Sequence, residues 1–474
     1  MAPWQSPRCS TAVVRYRFSS QTANPTRTAQ ATCVHVYEVQ SVIGGEIEYR
    51  IGALSGTRTL VMDEEATVET LKSEDLGKSE DLAAVAAASV GTRAEHRLAK
   101  LIEFAVGRES IPFRVRLPSG HALELGAGRA EFELDIRDRA GLRAVASFDE
   151  LRICEAYMDG HLDFNGDIRA AIRLRTGLRD QSRWITVWRY LQPWLSGQSK
   201  CNAEWVSAHY DADHLHLHFL DEAYHTYTPG VFEDEGESLE AASERKMRLA
   251  FEGLGLKSGD RVLEPGPGWG SFMRYAVRRG VHVTGITLSR HQLEYVNKTI
   301  AAEKWTADIQ YKDFFEYEPD EQFDGIVLNG VIEELRDFPT VMERLARWVK
   351  PGKRVYIDFM AATEHFRFPA FISKYVYRGA VCRVHMPRFV EAVTSSPFEM
   401  LAVYNDRRNY YLTARHWFEN LERNREQVRE RFGERTYRLY RLYLGGTVNM
   451  LDDPDHFTTA YRVLLERPAD YYRA

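Results

Sequence analysis

Beyond residue 260 the chain alternates short apolar runs with longer stretches in which apolar residues recur at helical spacing. The runs fall at 261–263, 281–286, 308–311, 323–328 and 354–359. Strands separated by helices in this way predict an α/β fold with a doubly wound, mostly parallel sheet over 196–474. Upstream the rhythm changes. A helical signal near 98–106 precedes strand-like runs at 113–117 and 130–136 and a polar turn at 137–141. This predicts a smaller N-terminal α+β domain over 98–195. Trp184, Trp188 and Trp194 follow it, readable as buried rings or as membrane-interface contacts. Toward the C-terminus, 417–443 reads as one long helix dense in Arg, Glu and aromatic residues, and 459–465 as a closing strand. Residues 62–97 carry KSEDL twice and read as helix or linker. Residues 1–61 read as an extension outside the fold.

The stretch 261–289, RVLEPGPGWGSFMRYAVRRGVHVTGITLS, is strand, glycine turn, helix and strand, the β-α-β unit of a parallel sheet. Glycines at such a turn let backbone approach a ligand, and the helix that follows offers free N–H groups. A dinucleotide site would show G-x-G-x-x-G and an acidic residue ending the second strand. Here the spacing is G-x-G-x-G behind Glu264, with Thr287 and Ser289 where that acid would stand. The pattern resembles the first motif of class I S-adenosylmethionine methyltransferases. A glycine turn that merely packs a helix on a sheet is the alternative. A lookalike at 124–128, ELGAG, is followed by strand-like RAEFELDI and offers no helix.

Composition narrows the class. With 474 residues, 44% hydrophobic and 27% charged, the chain is an ordinary globular one of two or three domains. A net charge of -6 disfavours general nucleic-acid binding but allows a local basic face. The longest apolar run, 82–90, falls far short of the roughly 20 residues of a membrane-spanning helix. Cys9, Cys33, Cys154, Cys201 and Cys382 are scattered and suggest a reducing compartment. His209, His214, His216 and His218, with Asp211 and Asp213 between them, read as polar surface, and no metal site is expected. Residues 1–37 hold four arginines and no acid, which fits a transit-like segment or a mis-assigned start ahead of Met62. The expected location is cytoplasmic and peripheral to a membrane, with an organelle as the alternative.

Six further stretches, read in order, turn the resemblance into one to a particular family. They are EAYMDG at 155–160, HYD at 209–211, FLDEAYHTYTPGVFED at 219–234, VTGITLSRHQLEY at 283–295, FISKYVYRG at 371–379 and RLYLGG at 441–446. Together they resemble the cyclopropane fatty acid synthase family, including its mycolic acid relatives, from about residue 98 to the C-terminus. The resemblance implies a class I methyltransferase, Rossmann-like seven-stranded sheet behind the smaller N-terminal domain. It also implies S-adenosylmethionine as cofactor. Glu264, Gly266 and Gly268 would hold its methionyl and ribose portion, Thr287 and Gln292 the ribose side, and Asp313 with Phe314 or Phe315 the adenine edge. Tyr227 and Thr228 match the family's Tyr-Ser pair near the sulfonium.

In the family an olefin attacks the methyl group and a bound bicarbonate then removes a proton. The catalytic candidates carried over are Glu333, Tyr410 and Asp358. This chain departs from the family's bicarbonate cage: Pro229 stands for a Cys, Asp358 for a His, Met360 for an Ile, Glu334 for a second His, and Pro267 for the glycine-turn Cys. Two carboxylates at short range, Glu333 and Asp358, would repel bicarbonate, so its presence is doubtful and a protein carboxylate is expected to act as base. The implied activity is C-methylation at the double bond of unsaturated phospholipid acyl chains, giving a methyl or methylene branch. Alternatives are authentic cyclopropane synthesis, methylation of a soluble metabolite, and a catalytically dead cofactor binder. Expected partners are acyl chains at a membrane surface, met through Arg367, Lys374, Arg378, Arg383 and neighbouring aromatic residues, with no nucleic acid; a homodimer is left open.

Overall fold

The computed structural model describes residues 36–43, 46–53, 56–62, 93–106, 111–178, 215–362, 369–377, 384–453 and 457–469. Trp184, Trp188, Trp194, Arg367, Arg378, Arg383, the KSEDL repeat, His209, His214 and all cysteines but Cys154 lie outside them. The chain divides into two compact units, Met1–Leu82 and Ala83–Ala474. In the first, β1 (Val36–Ile43), β2 (Glu46–Ala53) and β3 (Gly56–Met62) form an antiparallel meander. These residues were expected to stand outside the fold. They form a unit of their own, and their β-branched and aromatic runs carry strand signals that the arginine-rich composition of the first 37 residues obscures.

The second unit opens with α1 (Arg93–Val106) and a four-stranded sheet of order β5-β4-β6-β7. Its strands are β4 (Phe113–Arg116), β5 (Ala122–Leu125), β6 (Phe132–Ile136) and β7 (Leu162–Gly166). The ELGAG lookalike ends β5 and, as expected, no helix follows. Three short helices, α2 (Arg139–Ala146), α3 (Glu150–Met158) and α4 (Ile168–Arg173), are each capped by an aspartate side chain, Asp138, Asp149 and Asp167, that accepts first-turn N–H groups.

After α5 (Leu239–Leu254) comes the large sheet: β8 (Arg261–Pro265), α6 (Ser271–Val277), β9 (His282–Thr287), α7 (Arg290–Glu303), β10 (Ala307–Tyr311), β11 (Phe323–Asn329), α8 (Phe338–Trp348) and β12 (Val349–Ala362). Then follow α9 (Met386–Thr394), β13 (Glu399–Asn405), α10 (Arg407–Arg423), α11 (Arg425–Phe432), α12 (Glu434–Asp452) and β14 (Thr458–Arg467). The seven strands lie in the order β10-β9-β8-β11-β12-β14-β13. All neighbours are parallel except β14, which runs antiparallel to β12 and β13. Chain order reverses between β8 and β11, and in such sheets the ligand crevice opens at the carboxyl ends beside that reversal.

The helix expected over 417–443 is three. Asn424 and Gly433, the latter at φ +85°, interrupt it, because a left-handed backbone cannot continue an α-helix. One apolar core joins the N-terminal helices and sheet to α10, α11 and α12 through Leu98, Val115, Tyr157, Ile168, Trp417 and Leu444. Across that seam the Arg438 guanidinium of α12, 6% exposed, donates to the Tyr157 carbonyl at 2.7 Å, the Leu162 carbonyl at 3.2 Å and Asp163 Oδ2 at 2.8 Å.

Candidate active site

Every predicted cofactor residue lines one cleft at the reversal point. Tyr227, Thr228, Glu264, Gly266, Gly268, Thr287, Gln292, Asp313 and Phe314 share it with His225, Asn329 and Glu334, around about 1060 Å³ of free space. Sheet geometry brings them together: Glu264 ends β8, Thr287 ends β9, Asp313 follows β10, and Asn329 ends β11. Gly266 and Gly268 sit at φ +63° and +57°. A side chain at Gly266 would strike Val331 at 2.6 Å, whereas one at Gly268 would meet no protein atom within 4 Å. Gly266 is therefore held by sterics, and Gly268 keeps space open for a ligand.

Electrostatics also suits a polar, cationic guest. Glu264 is 1% exposed, its Oε2 has no hydrogen-bond partner among the described residues, and burial pushes its pKa up to about 8 against the pull of Lys246 and Asn329. A sealed, unpartnered acceptor favours a donor such as a ribose hydroxyl. Thr287 Oγ1 donates to Gln292 Oε1 at 3.4 Å, fixing two polar groups of the same wall. Asp313 accepts from the Phe315 N–H at 2.7 Å, and burial raises its pKa. Phe314 packs edge-on against Trp348 at 4.9 Å and Phe315 at 5.4 Å while still facing the cleft. It is core ring and lining at once, and Phe315 is not part of the lining.

The loop that carries Tyr227 and Thr228 is pinned from below. Asp221, fully buried, accepts from the Tyr224 N–H at 2.6 Å, the Thr226 N–H at 2.8 Å and Ser243 Oγ at 3.2 Å. Gly330, at φ +64°, follows β11 without a side chain, since a Cβ there would meet Thr228 Cγ2 at 2.7 Å. The three predicted catalytic residues meet in a second cavity that shares Tyr227, Thr228, Gly330 and Glu334 with the first. Glu333, Asp358 and Tyr410 line it, together with Pro229, Met360, Tyr377 and Tyr443.

The two acids there differ. Glu333 Oε1 accepts from the Met360 N–H at 2.7 Å, and Oε2 is sealed from solvent with no hydrogen-bond partner among the described residues. Burial pushes its pKa up to about 8, with Asp358 and Glu334 adding repulsion. Glu334 is likewise raised by burial to about 7. Asp358, expected as a second free carboxylate, instead pairs with the Nζ of Lys246 on α5, and that ammonium also donates to Thr228 Oγ1. Lys246 is 1% and Asp358 2% exposed. The repulsion expected between Glu333 and Asp358 remains, and it adds to the burial that raises Glu333.

Lys246 was not among the predicted site residues, although a signal existed. Leu239, Ala242, Ser243, Met247, Ala250 and Leu254 form the buried face of α5, and a lysine inside that stripe needs a buried partner. Tyr377 and Tyr443 were quoted only as parts of longer stretches. Their hydroxyls lie 3.0 Å apart, and Tyr443 OH is 3.1 Å from Tyr227 OH, which joins three distant segments above the acids. Of the histidine cluster, His216 is fully buried among the rings of Tyr227, Phe219, Tyr440 and Trp269. Among the described residues no group of three or more potential ligands converges on a metal.

The family model described as mycolic acid cyclopropane synthetase matches residues 198–455, more than half of the chain. The chain belongs to that family. It is an S-adenosylmethionine-dependent methyltransferase, and the orphaned Glu264 oxygen and the open Gly268 turn fit that cofactor. Residues 103–181 match a domain of unknown function. A probable fatty acid methyltransferase of Pseudomonas putida is 27% identical over 349 residues, 71% of this chain and 87% of that protein. A sphingolipid C9-methyltransferase of Candida albicans is 25% identical over 372 residues, 73% of this chain and 70% of that one. Among solved structures, a cyclopropane synthase of Mycobacterium tuberculosis superposes with a TM-score of 0.52 at 23% identity, over 56% of this chain and 97% of the other, a likeness of fold.

Proposed function

We propose that this family member methylates carbon at the double bond of an unsaturated acyl chain in a membrane lipid, and that Glu333 takes the proton released. The relatives named for fatty acid and sphingolipid methylation support a lipid substrate. One observation carries the choice of base: the Lys246 ammonium stands against Asp358 Oδ2, whereas Glu333, lining the same cavity, is raised by its surroundings with no cation acting on it. S-adenosylmethionine supplies an electrophilic methyl group when bound. Tyr227, Thr228 and Glu264 would hold it, and its methyl would pass to the alkene, whose electron pair becomes the new carbon–carbon bond while the carbon–sulfur pair stays on S-adenosylhomocysteine and a cation is left on the adjacent chain carbon.

Glu333 accepts a proton from a carbon next to that cation, and the freed C–H electron pair forms the new double bond. Loss from a chain carbon leaves a methyl-branched alkene; a methylene branch forms when hydride first shifts from the methylated carbon to the cation, so that the new methyl lies next to the positive carbon and gives up the proton. Tyr410, whose pKa is pushed well up by burial, stays neutral and presents a ring rather than a phenolate to the cation. Pro229 offers no N–H for an anion at the place of the family's cysteine, which further favours a protein base over bicarbonate. A lipid substrate places the reaction at a membrane surface, in the cytoplasm or, on the alternative reading of the N-terminal segment, in an organelle.

The test is to incubate the protein with methyl-labelled S-adenosylmethionine and vesicles of monounsaturated phospholipid, then take NMR spectra of the recovered chains. Labelled methyl or methylene signals without ring protons are the expected result. Cyclopropane ring protons would overturn the branched product, and absence of label from every chain would overturn the lipid substrate.

A further inference from the structure

The cofactor cleft and the reacting cavity meet at a passage walled by Tyr227, Thr228, Gly330 and Glu334, the residues that line both. A methyl group on its way from cofactor to substrate crosses it. Three of the four walls are already committed or bare: Tyr227 OH lies 3.1 Å from Tyr443 OH, Thr228 Oγ1 accepts from Lys246 Nζ, and Gly330 has no side chain. Glu334 brings a carboxylate. It reaches the passage because β11 ends at Asn329 and the single turn Ile332–Glu334 follows, its last N–H donating to the Val331 carbonyl at 3.0 Å.

Five acids among the described residues line the two cavities, and four of them have a counterweight from the protein. Lys246 stands against Asp358 and also acts on Glu264, which has a hydrogen bond from Asn329 besides. Asp313 accepts from the Phe315 N–H, and Glu333 from the Met360 N–H. For Glu334 burial acts alone and raises its pKa to about 7; His225 and Lys312, the basic groups of the cleft wall, do not offset that rise. Its own charge repels Glu333 beside it. An enclosed carboxylate without cation or donor is costly when ionised, so a cation that arrives with a guest gains more there than beside a paired acid.

S-adenosylmethionine carries such a cation at its sulfur, and S-adenosylhomocysteine does not. We propose that Glu334 is the residue by which this protein tells the two apart: its carboxylate faces the sulfonium of the incoming cofactor and, once the methyl has left and the sulfur is neutral, stands without a partner, which favours release of the product. The histidine of the family's pattern at this position supplies no negative charge, so the device belongs to this chain. It concerns the cofactor alone and does not depend on which lipid is methylated. Ionised Glu334 attracts only the sulfonium ligand, and protonated Glu334 attracts neither, so the preference for S-adenosylmethionine grows as pH rises through about 7. Glu264 titrates in the same cleft, near 8, but the methionyl and ribose atoms it would hold are common to both ligands, and its effect cancels in the ratio of affinities.

The test is calorimetric titration of both ligands into the full-length protein, Glu334→Gln and Glu333→Gln at about pH 5.5 and about pH 8.5. Between these the affinity ratio should rise by about tenfold or more in the wild type beyond any rise in Glu334→Gln, and Glu333→Gln should keep the wild-type rise. The ligands' own amino groups titrate alike with all three proteins, so the difference isolates the side chain. A rise of one size in wild type and Glu334→Gln, or its loss in Glu333→Gln, overturns the proposal. The wild type by itself gives a second reading that no folding defect can blur. In buffers of different ionisation heat at about pH 6.5, S-adenosylmethionine should release about half a proton per site more than S-adenosylhomocysteine does, and equal release overturns the proposal.

Discussion

Glu333 shows how much of the chemistry rests on one carboxylate in an apolar surround. Its native pKa of about 8 lies above the ordinary value of 4.5, so the folded state binds this proton more tightly than the unfolded chain. The stability this gives is present at low pH, is lost as pH rises from about 4.5 to about 8, and changes no further above that. Glu333→Gln removes the penalty. Its melting temperature at pH 8 should exceed that of the wild type by about 2 °C or more in a calorimetric scan, while methyl transfer falls by about 100-fold or more. In the wild type, kcat/KM should climb as pH rises through 7 to 8.5, since the base must be ionised in the free enzyme. Glu264, also near 8, and Glu334, near 7, steepen that rise. A flat profile would count against Glu333 as base.

At the scale of elements, the site depends on one pin between α5, β12 and the loop before α5. Lys246 reaches from the buried face of α5 to Asp358 on β12 and to Thr228 on that loop. Removing the ammonium alone leaves Asp358 as a buried unpaired charge, which costs about 3–5 kcal/mol. Lys246→Met should therefore lower stability in denaturant melts by about that amount and weaken S-adenosylmethionine binding, because Thr228 loses its anchor. The double variant Lys246→Met with Asp358→Leu should recover most of the stability but not the cofactor affinity. Recovery of both would mean that the pair serves folding alone. The glycine turn, Glu264 and Thr287 were readable in advance because a β-α-β unit places its turn by local rules. The Lys246 pair was not, because its partners lie 18 and 112 positions away in sequence.

The whole second unit is held as one body by the core that joins residues 93–178 to α10, α11 and α12. Arg438 is the polar rivet of that seam, bound to two carbonyls and Asp163 with 6% exposure. Arg438→Ala strips all three of their partner and should cost about 3 kcal/mol or more. If the N-terminal helices help present the lipid, the same change should reduce lipid methylation more than cofactor binding. Equal loss of both, followed by methylation assay and calorimetry, would tie the seam to folding only.

Local pattern alone determined the alternating strands and helices, the glycine turn, and the acids at strand ends, since each depends on backbone preferences within a few residues. It missed the strands within 36–62, because an arginine-rich start masks strand signals, and read 417–443 as one helix, because Asn424 and a left-handed Gly433 weigh little against a long periodic run. Only the tertiary structure decided which carboxylate meets a cation. Asp358 and Glu333 look alike in sequence, and it is the arrival of Lys246 from another helix that gives one an ammonium and leaves the other only the Met360 N–H. The passage beside Glu334 was equally beyond the sequence, because an empty space is defined by what every surrounding element fails to fill.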